Sequence, residues 1–111
     1  GGFNPQNIAN TLWAYAKLEV KPGAELLAAV ERRAVREMGG FIPQNIANTL
    51  WAYATLGVRP GAELLDAVER RAVREMGGFK PQEVANTLWA YATLGVRPGA
   101  ELLDAVERRA V

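Results

Sequence analysis

The chain is a tandem repeat, and this feature restricts its possible folds more than any other. An offset of 38 residues superimposes Phe3 on Phe41 and Phe41 on Phe79. Residues 1–38 and 39–76 are identical at 33 of 38 positions, and residues 39–73 and 77–111 at 32 of 35. Repeats of this length are supersecondary units that bury their apolar faces by stacking on one another. We therefore expect one repeat domain over residues 1–111, with repeats 1–38, 39–76 and a truncated 77–111.

Proline and glycine divide each repeat into two helices. In the second repeat, Pro43 opens a stretch without a breaker until Gly57, and a similar stretch begins at Pro60. Proline suits the first helical turn because its missing N–H had no partner there, and glycine just past the end closes a helix in the left-handed conformation. The sequence predicts helix A near 43–56 and helix B near 60–76. The predicted fold class is all-α, an α-solenoid of three 38-residue helix-turn-helix repeats.

Apolar residues form an unusually wide stripe along helix A, at about 100° per residue. In the second repeat this stripe includes Ile46 and Leu50, with Trp51 and Tyr53 at its two margins. One hairpin cannot cover so broad a stripe, so its margins are predicted to pack on the preceding and following repeats. A tryptophan on such a margin could stack on a base, but this spacing favours core residues. The expected core tryptophans are Trp13, Trp51 and Trp89.

The amino-acid composition excludes most kinds of active site. The chain contains no cysteine, histidine or serine, which removes thiolate and imidazole metal ligands, Ser-His-Asp and Cys-His nucleophiles, and disulfides. Carboxylates lie beside arginines such as Arg33 and Arg71, which is typical of a solvated helix face. We therefore expect no enzymatic activity, no metal and no cofactor. A formal net charge of +1 and the lack of a long apolar run also exclude a strongly basic arm and a membrane span.

The side of helix A opposite the apolar stripe carries uncharged polar and small residues, among them Thr49 and Ala52. In stacked hairpins the A helices usually align and form the concave wall. An amide donates and accepts hydrogen bonds at once, which matches the edges of unpaired bases. The alternative is an ordinary exposed polar face, although asparagine is a mediocre helix former. The predicted row of amides consists of Asn10, Asn48 and Asn86.

The start of helix A is a second candidate site because its residues differ between repeats. The expected N-cap is Asn4, Ile42 or Lys80, and only asparagine can cap with its side chain. The unmet N–H groups of the other two helices would suit a phosphate oxygen, unless water satisfies them. If the repeats bind different ligand units, the difference should reside in the pairs Asn4/Asn7, Ile42/Asn45 and Lys80/Glu83.

The repeat F-x-P-Q-x-x-A-N-T-L-W-A-Y-A-x-L-x-V-x-P-G-A-E-L-L resembles the octotricopeptide repeat, a helical-hairpin repeat of organellar proteins in algae and protists. The resemblance covers the whole chain, and its Pro-Gln start and Ala-Asn-Thr-Leu-Trp-Ala stretch recur three times. It implies an α-solenoid that binds single-stranded RNA sequence-specifically, with about one nucleotide per repeat contacted by the helix A face. It also implies a role in organelle gene expression, in a chloroplast or mitochondrion. The uniformity of the copies is typical of recent duplication or of consensus design.

A structural or protein-interaction scaffold is the alternative function. The balanced charge supports it, and so do the terminal repeats, whose apolar stripes lack a neighbour on one side. This hypothesis predicts head-to-tail association of chains, or docking of the uncapped ends on other subunits.

Overall fold

The computed structural model describes residues 3–110, and within this range every regular element is helical. Three helices A alternate with three helices B, and a 3₁₀ turn follows each of the first two B helices, at Met38–Gly40 and Met76–Gly78. This arrangement confirms the predicted all-α fold class. The α-helices are α1 (Pro5–Leu18), α2 (Ala24–Arg36), α3 (Pro43–Leu56), α4 (Ala62–Glu75), α5 (Pro81–Leu94) and α6 (Ala100–Ala110).

Helix A of the second repeat begins and ends where the sequence predicts. Pro43 occupies the first turn of α3, and Gly57 closes the helix with a φ of 70°. Gly95 closes α5 in the same way, with a φ of 69°. In the first repeat Glu19 stands at this position with a φ of 58°, a left-handed conformation that disfavours any residue with a Cβ.

Helix B begins later than predicted. The expected start was Pro60, but α4 begins at Ala62 with Gly61 as its N-cap in an extended conformation. This conformation directs the Gly61 N–H toward the Glu31 carboxylate of the preceding repeat, at 3.2 Å. A Cβ atom on Gly61 would lie 2.7 Å from Oε1 of Glu31, so any larger residue here would displace the Glu31 carboxylate.

The helices form two layers. Helices α1, α3 and α5 lie side by side in one layer, and α2, α4 and α6 form the other, where neighbouring helices contact each other much less. The A helices approach closely because their sides carry small residues: Ala47 faces one neighbour, and Thr49 and Ala52 are fully buried against the other. Each hairpin therefore stacks on the next, as in an α-solenoid.

The hydrophobic core fills the space between the layers. From α3 it takes Ile46, Leu50 and Tyr53, each at most 2 % exposed, and from α4 it takes Leu64 and Val68. Burying one aliphatic side chain of this size contributes about 1.5–3 kcal/mol. These core residues step along the helices at intervals of three and four, which is why apolar periodicity identifies them correctly.

Glu31 of α2 links the first repeat to the second. One carboxylate oxygen accepts a hydrogen bond from the Tyr53 hydroxyl at 2.7 Å, and the same oxygen accepts the Gly61 N–H. Burial, together with the hydrogen bond and the negative charge of Glu31, raises the pKa of Tyr53 above its ordinary value. Glu69 repeats this link to the third repeat by accepting the Gly99 N–H at 3.0 Å.

Three arginines of the B helices link the start of each repeat to its own helix B. Each donates to the carbonyl oxygen of the phenylalanine 30 residues before it: Arg33 to Phe3 at 3.2 Å, Arg71 to Phe41 at 2.9 Å and Arg109 to Phe79 at 2.7 Å. The interpretation as a solvated surface charge is therefore wrong for Arg71, whose side chain is 19 % exposed, whereas Arg33 remains 36 % exposed. A hydrogen bond from a charged donor contributes about 1.5–3 kcal/mol when it is well shielded, and less where water reaches it.

The expectation that all three tryptophans are core residues is also wrong. Trp13 is 41 % exposed and Trp89 is 47 % exposed, while Trp51 is half-buried. Isoleucine, leucine and tyrosine already fill the space between the layers, and the tryptophan position points away from helix B. The indole rings of Trp13 and Trp89 consequently face solvent, while Trp51 packs against the edge of the core.

Candidate nucleic-acid interface

The solvent side of the A layer presents the same side chains from each helix. In α1 these are Gln6, Asn10, Trp13 and Lys17, at helical intervals of four, three and four residues, which places them on one side. The middle and last repeats present the equivalent residues, with threonine in place of lysine. We call this surface the A-helix face: Gln6, Asn10, Trp13, Lys17, Gln44, Asn48, Trp51, Thr55, Gln82, Asn86, Trp89 and Thr93.

The predicted row of amides lies on this face. Asn10 is exposed, and Asn48 and Asn86 are half-buried by the neighbouring helices. Two other residues expected beside them, Thr49 and Ala52, are instead buried against the preceding repeat. A ligand can therefore reach the asparagine of each repeat, but not all the polar and small residues that the sequence places on this side of helix A.

A groove of about 320 Å³ runs between the first turns of α1 and α3. It brings together five of the predicted site residues from two different repeats, so a ligand in it would contact both repeats at once. Glutamines on the same helices add further amides. The groove is lined by Asn4, Pro5, Gln6, Asn10, Gly40, Ile42, Gln44, Asn45 and Asn48.

The third helical position of each helix A has a structural role. Oδ1 of Asn7 accepts the Asn4 N–H at 3.2 Å, and Oδ1 of Asn45 accepts the Ile42 N–H at 3.1 Å. In the last repeat, Oε1 of Glu83 accepts the equivalent N–H at 2.9 Å. These side-chain oxygens stabilise the helix start, as the N3 member of a capping box does. Only the amide N–H groups of the two asparagines remain for a ligand, and Glu83 offers none.

The N-cap residues differ as the sequence predicts. Oδ1 of Asn4 accepts the Asn7 N–H at 2.8 Å and so caps α1. Ile42 has no side-chain acceptor and Lys80 carries only a donor, so neither can cap its helix with its side chain. Both of these side chains are exposed beside the first turn of their helices. Binding of a phosphate oxygen at these two starts stays a prediction.

The charges lie mostly on the other side of the molecule. On the A-helix face Lys17 is the charged residue, and its ammonium lies 5.1 Å from the centre of the Trp13 ring. On helix B, Asp66 and Arg70 lie four residues apart and form an ion pair at 2.6 Å. This exposed pair contributes about 0.3–0.5 kcal/mol. The A-helix face is therefore nearly neutral, and hydrogen bonding and stacking dominate what it can do.

Other kinds of site find no support in residues 3–110. This part of the chain contains no group of three or more acidic, histidine or cysteine residues able to hold a metal ion. None of its helices is both long and apolar enough to cross a bilayer.

Sequence reasoning missed two components of this face. Gln6, Gln44 and Gln82 precede the row of asparagines by one turn, a spacing that could have identified them. The exposed indoles were missed because a large apolar residue on the margin of a stripe resembles a core residue.

Comparison with known protein families gives one result for this fold. A family profile described as "Tbc2 translation factor, N-terminal domain" matches residues 2–60 and again residues 43–107. The two matches overlap and together span all three repeats, in keeping with the internal repetition. Among curated proteins, none matches the chain significantly. The chain belongs to the family of the Tbc2 translation factor N-terminal domain.

Proposed function

We propose that this protein is a non-catalytic, single-stranded RNA-binding module that holds RNA along its A-helix face. The observation that carries the proposal is the row of Asn10, Asn48 and Asn86, one amide from each A helix, on a nearly neutral surface. Each amide can donate to and accept from the edge of an unpaired base. Membership in a translation-factor family supports an RNA-related role.

The regular stacking of the repeats supports a contact of about one nucleotide per repeat, as in other helical repeats that bind RNA. The resemblance to octotricopeptide repeats extends the proposal to sequence-specific binding and to the expression of organelle genes. Differences between repeats would then arise at the helix starts, where Asn4, Ile42 and Lys80 project beside the groove or its equivalent.

Two asparagines one turn apart on α3, Asn45 and Asn48, provide the test. Asn48→Ala removes an amide of the A-helix face, and we expect weaker binding to labelled single-stranded RNA at an unchanged thermal midpoint. Asn45→Ala is the matched variant: it removes the acceptor of the Ile42 N–H, and we expect a loss of about 1 kcal/mol of stability. Fluorescence anisotropy at low salt measures the binding. No binding by the unmodified protein to any single-stranded RNA would refute the proposal.

Protein interaction is the second candidate function, and it has a specific observation of its own. Leu18 is 71 % exposed, whereas Leu56, at the same position of the second repeat, is 8 % exposed. Likewise Ala14 is exposed, whereas Ala52 is fully buried against α1. This side of α1 therefore has the chemistry of a surface that stacks on another repeat. The corresponding prediction is head-to-tail self-association, and a strict monomer at high concentration in analytical ultracentrifugation would contradict it.

A further inference from the structure

The three tryptophans form a row on the A-helix face. Each lies three residues after an asparagine of the amide row, about 60° around the same helix, so each repeat presents an indole beside an amide. The exposed fractions of Trp13 and Trp89, 41 % and 47 %, leave a large aromatic area in contact with water. A large aromatic surface in water marks a site that binds something.

The rings of the first two repeats already form a continuous aromatic surface. The ring centres of Trp13 and Trp51 are 6.3 Å apart, and the ring planes are inclined by 32°. This distance lies within the range of offset aromatic pairs, about 4.5–7 Å. Lys17, one turn further along α1, places its ammonium 5.1 Å from the centre of the Trp13 ring, a cation–π contact.

We propose that Trp13, Trp51 and Trp89 are stacking platforms for successive bases of a single-stranded RNA. The inference rests on the proposed RNA-binding function and identifies the groups that supply its affinity. Unpaired bases are bound in proteins by stacking on aromatic side chains while their edges make hydrogen bonds. The indole and the amide of each repeat provide these two contacts side by side.

The regularity and the charge of this face favour a nucleic acid over a protein ligand. One indole recurs per repeat along neighbouring A helices, and single-stranded RNA likewise carries one flat base per nucleotide. The A-helix face is built of glutamine, asparagine, tryptophan, threonine and Lys17, with no carboxylate to repel a phosphate backbone. Lys17 beside Trp13 can contact a phosphate while the ring stacks on a base.

The tryptophans themselves report on the test, because all three in the chain belong to this row. Short homopolymeric RNAs are titrated into the protein, and intrinsic fluorescence and anisotropy of a labelled RNA are followed together. We expect quenching of the tryptophan fluorescence with the same Kd as the anisotropy change. An RNA backbone of equal length without bases serves as the second ligand and should bind more weakly without quenching.

Variants then distinguish stacking of bases on the tryptophans from RNA binding at another surface of the protein. Trp13→Leu and Trp89→Leu keep an apolar side chain at exposed positions, so the fold is expected to persist, as circular dichroism verifies. Removing one stacked base contact should weaken binding about 5- to 150-fold. The control is Leu103→Ala, which removes a 37 % exposed apolar side chain from helix B and should leave Kd unchanged.

The outcomes distinguish this inference from the proposed function. If RNA binds by anisotropy, but tryptophan fluorescence is unchanged and both tryptophan variants bind like the unmodified protein, stacking is refuted while RNA binding stands. If no RNA binds to the unmodified protein, both proposals fail. If the tryptophan variants lose affinity and Leu103→Ala does not, the tryptophan row is the stacking surface.

Discussion

Glu31 joins the first two repeats, and its removal is expected to destabilise the array far more than removal of an ordinary surface glutamate. In Glu31→Ala, the Tyr53 hydroxyl loses its 2.7 Å partner inside a side chain that is 1 % exposed. A buried hydroxyl without a partner costs about 1–3 kcal/mol. The Gly61 N–H also loses its acceptor, but Gly61 is half-exposed, so water replaces part of that bond. The expected loss in the free energy of unfolding is about 2–4 kcal/mol.

Urea denaturation followed by circular dichroism measures this loss, and two further variants identify its cause. Glu107 occupies the same position in the third repeat and is exposed, so Glu107→Ala should change stability by less than about 0.5 kcal/mol. Tyr53→Phe added to Glu31→Ala removes the unpaired hydroxyl and should restore part of the stability. If Glu31→Ala costs no more than Glu107→Ala, or if the double variant is less stable than Glu31→Ala alone, the reasoning is refuted.

Four further predictions follow from the same structure. Gly61→Ala should be about 1–2 kcal/mol less stable than Gly23→Ala in urea, because a Cβ at Gly61 displaces Glu31, whereas a Cβ at Gly23 meets nothing within 4 Å. Equal stabilities would contradict this. Glu19→Gly should raise the free energy of unfolding by about 1 kcal/mol by relieving the left-handed backbone; a lower thermal midpoint would oppose it. The pKa of Tyr53 is raised in the folded protein, so near pH 10 this hydroxyl ionises in the unfolded chain but not in the folded one. The free energy of unfolding is therefore maintained below pH 10 and decreases as the pH rises above it. Urea midpoints at increasing pH should fall less steeply in Tyr53→Phe. Finally, RNA affinity should depend only weakly on salt concentration, because few phosphates would contact a positively charged side chain. The logarithm of the association constant plotted against the logarithm of the salt concentration should have a slope shallower than about −2. A steeper slope would indicate that RNA binds the arginines of helix B instead.

The helix boundaries show what local sequence can predict. Helix A was predicted to the residue in the second repeat because Pro43 and Gly57 act within their own turns. The start of helix B was missed because proline favours the first helical turn, yet the extended glycine that follows Pro60 is the N-cap. Gly23 forms the same N-cap in the first repeat, where an added Cβ would meet nothing within 4 Å, so the contact with Glu31 is not what sets this start.

The candidate site was predicted only in part, because residues that look alike in sequence pack differently. Asn48 and Asn45 look equivalent in sequence, yet one lies on the A-helix face and the other is 8 % exposed and supports the helix start. Trp13 and Trp89 were expected in the core but are 41 % and 47 % exposed, whereas Trp51 packs against the edge of the core. Residue type and helical period restrict the choice of site residues, and the packing between repeats decides among them.

The unequal contact within the two layers has a geometric consequence for longer arrays of this repeat. Neighbouring A helices touch along their length, while neighbouring B helices stand farther apart, so each hairpin is a wedge with its narrow edge at the tryptophans. Wedges added in the same sense bend into an arc, and the narrow edges line its inside. A strand bound there follows a shorter path per repeat than one on the outside, which brings successive nucleotides together rather than stretching them.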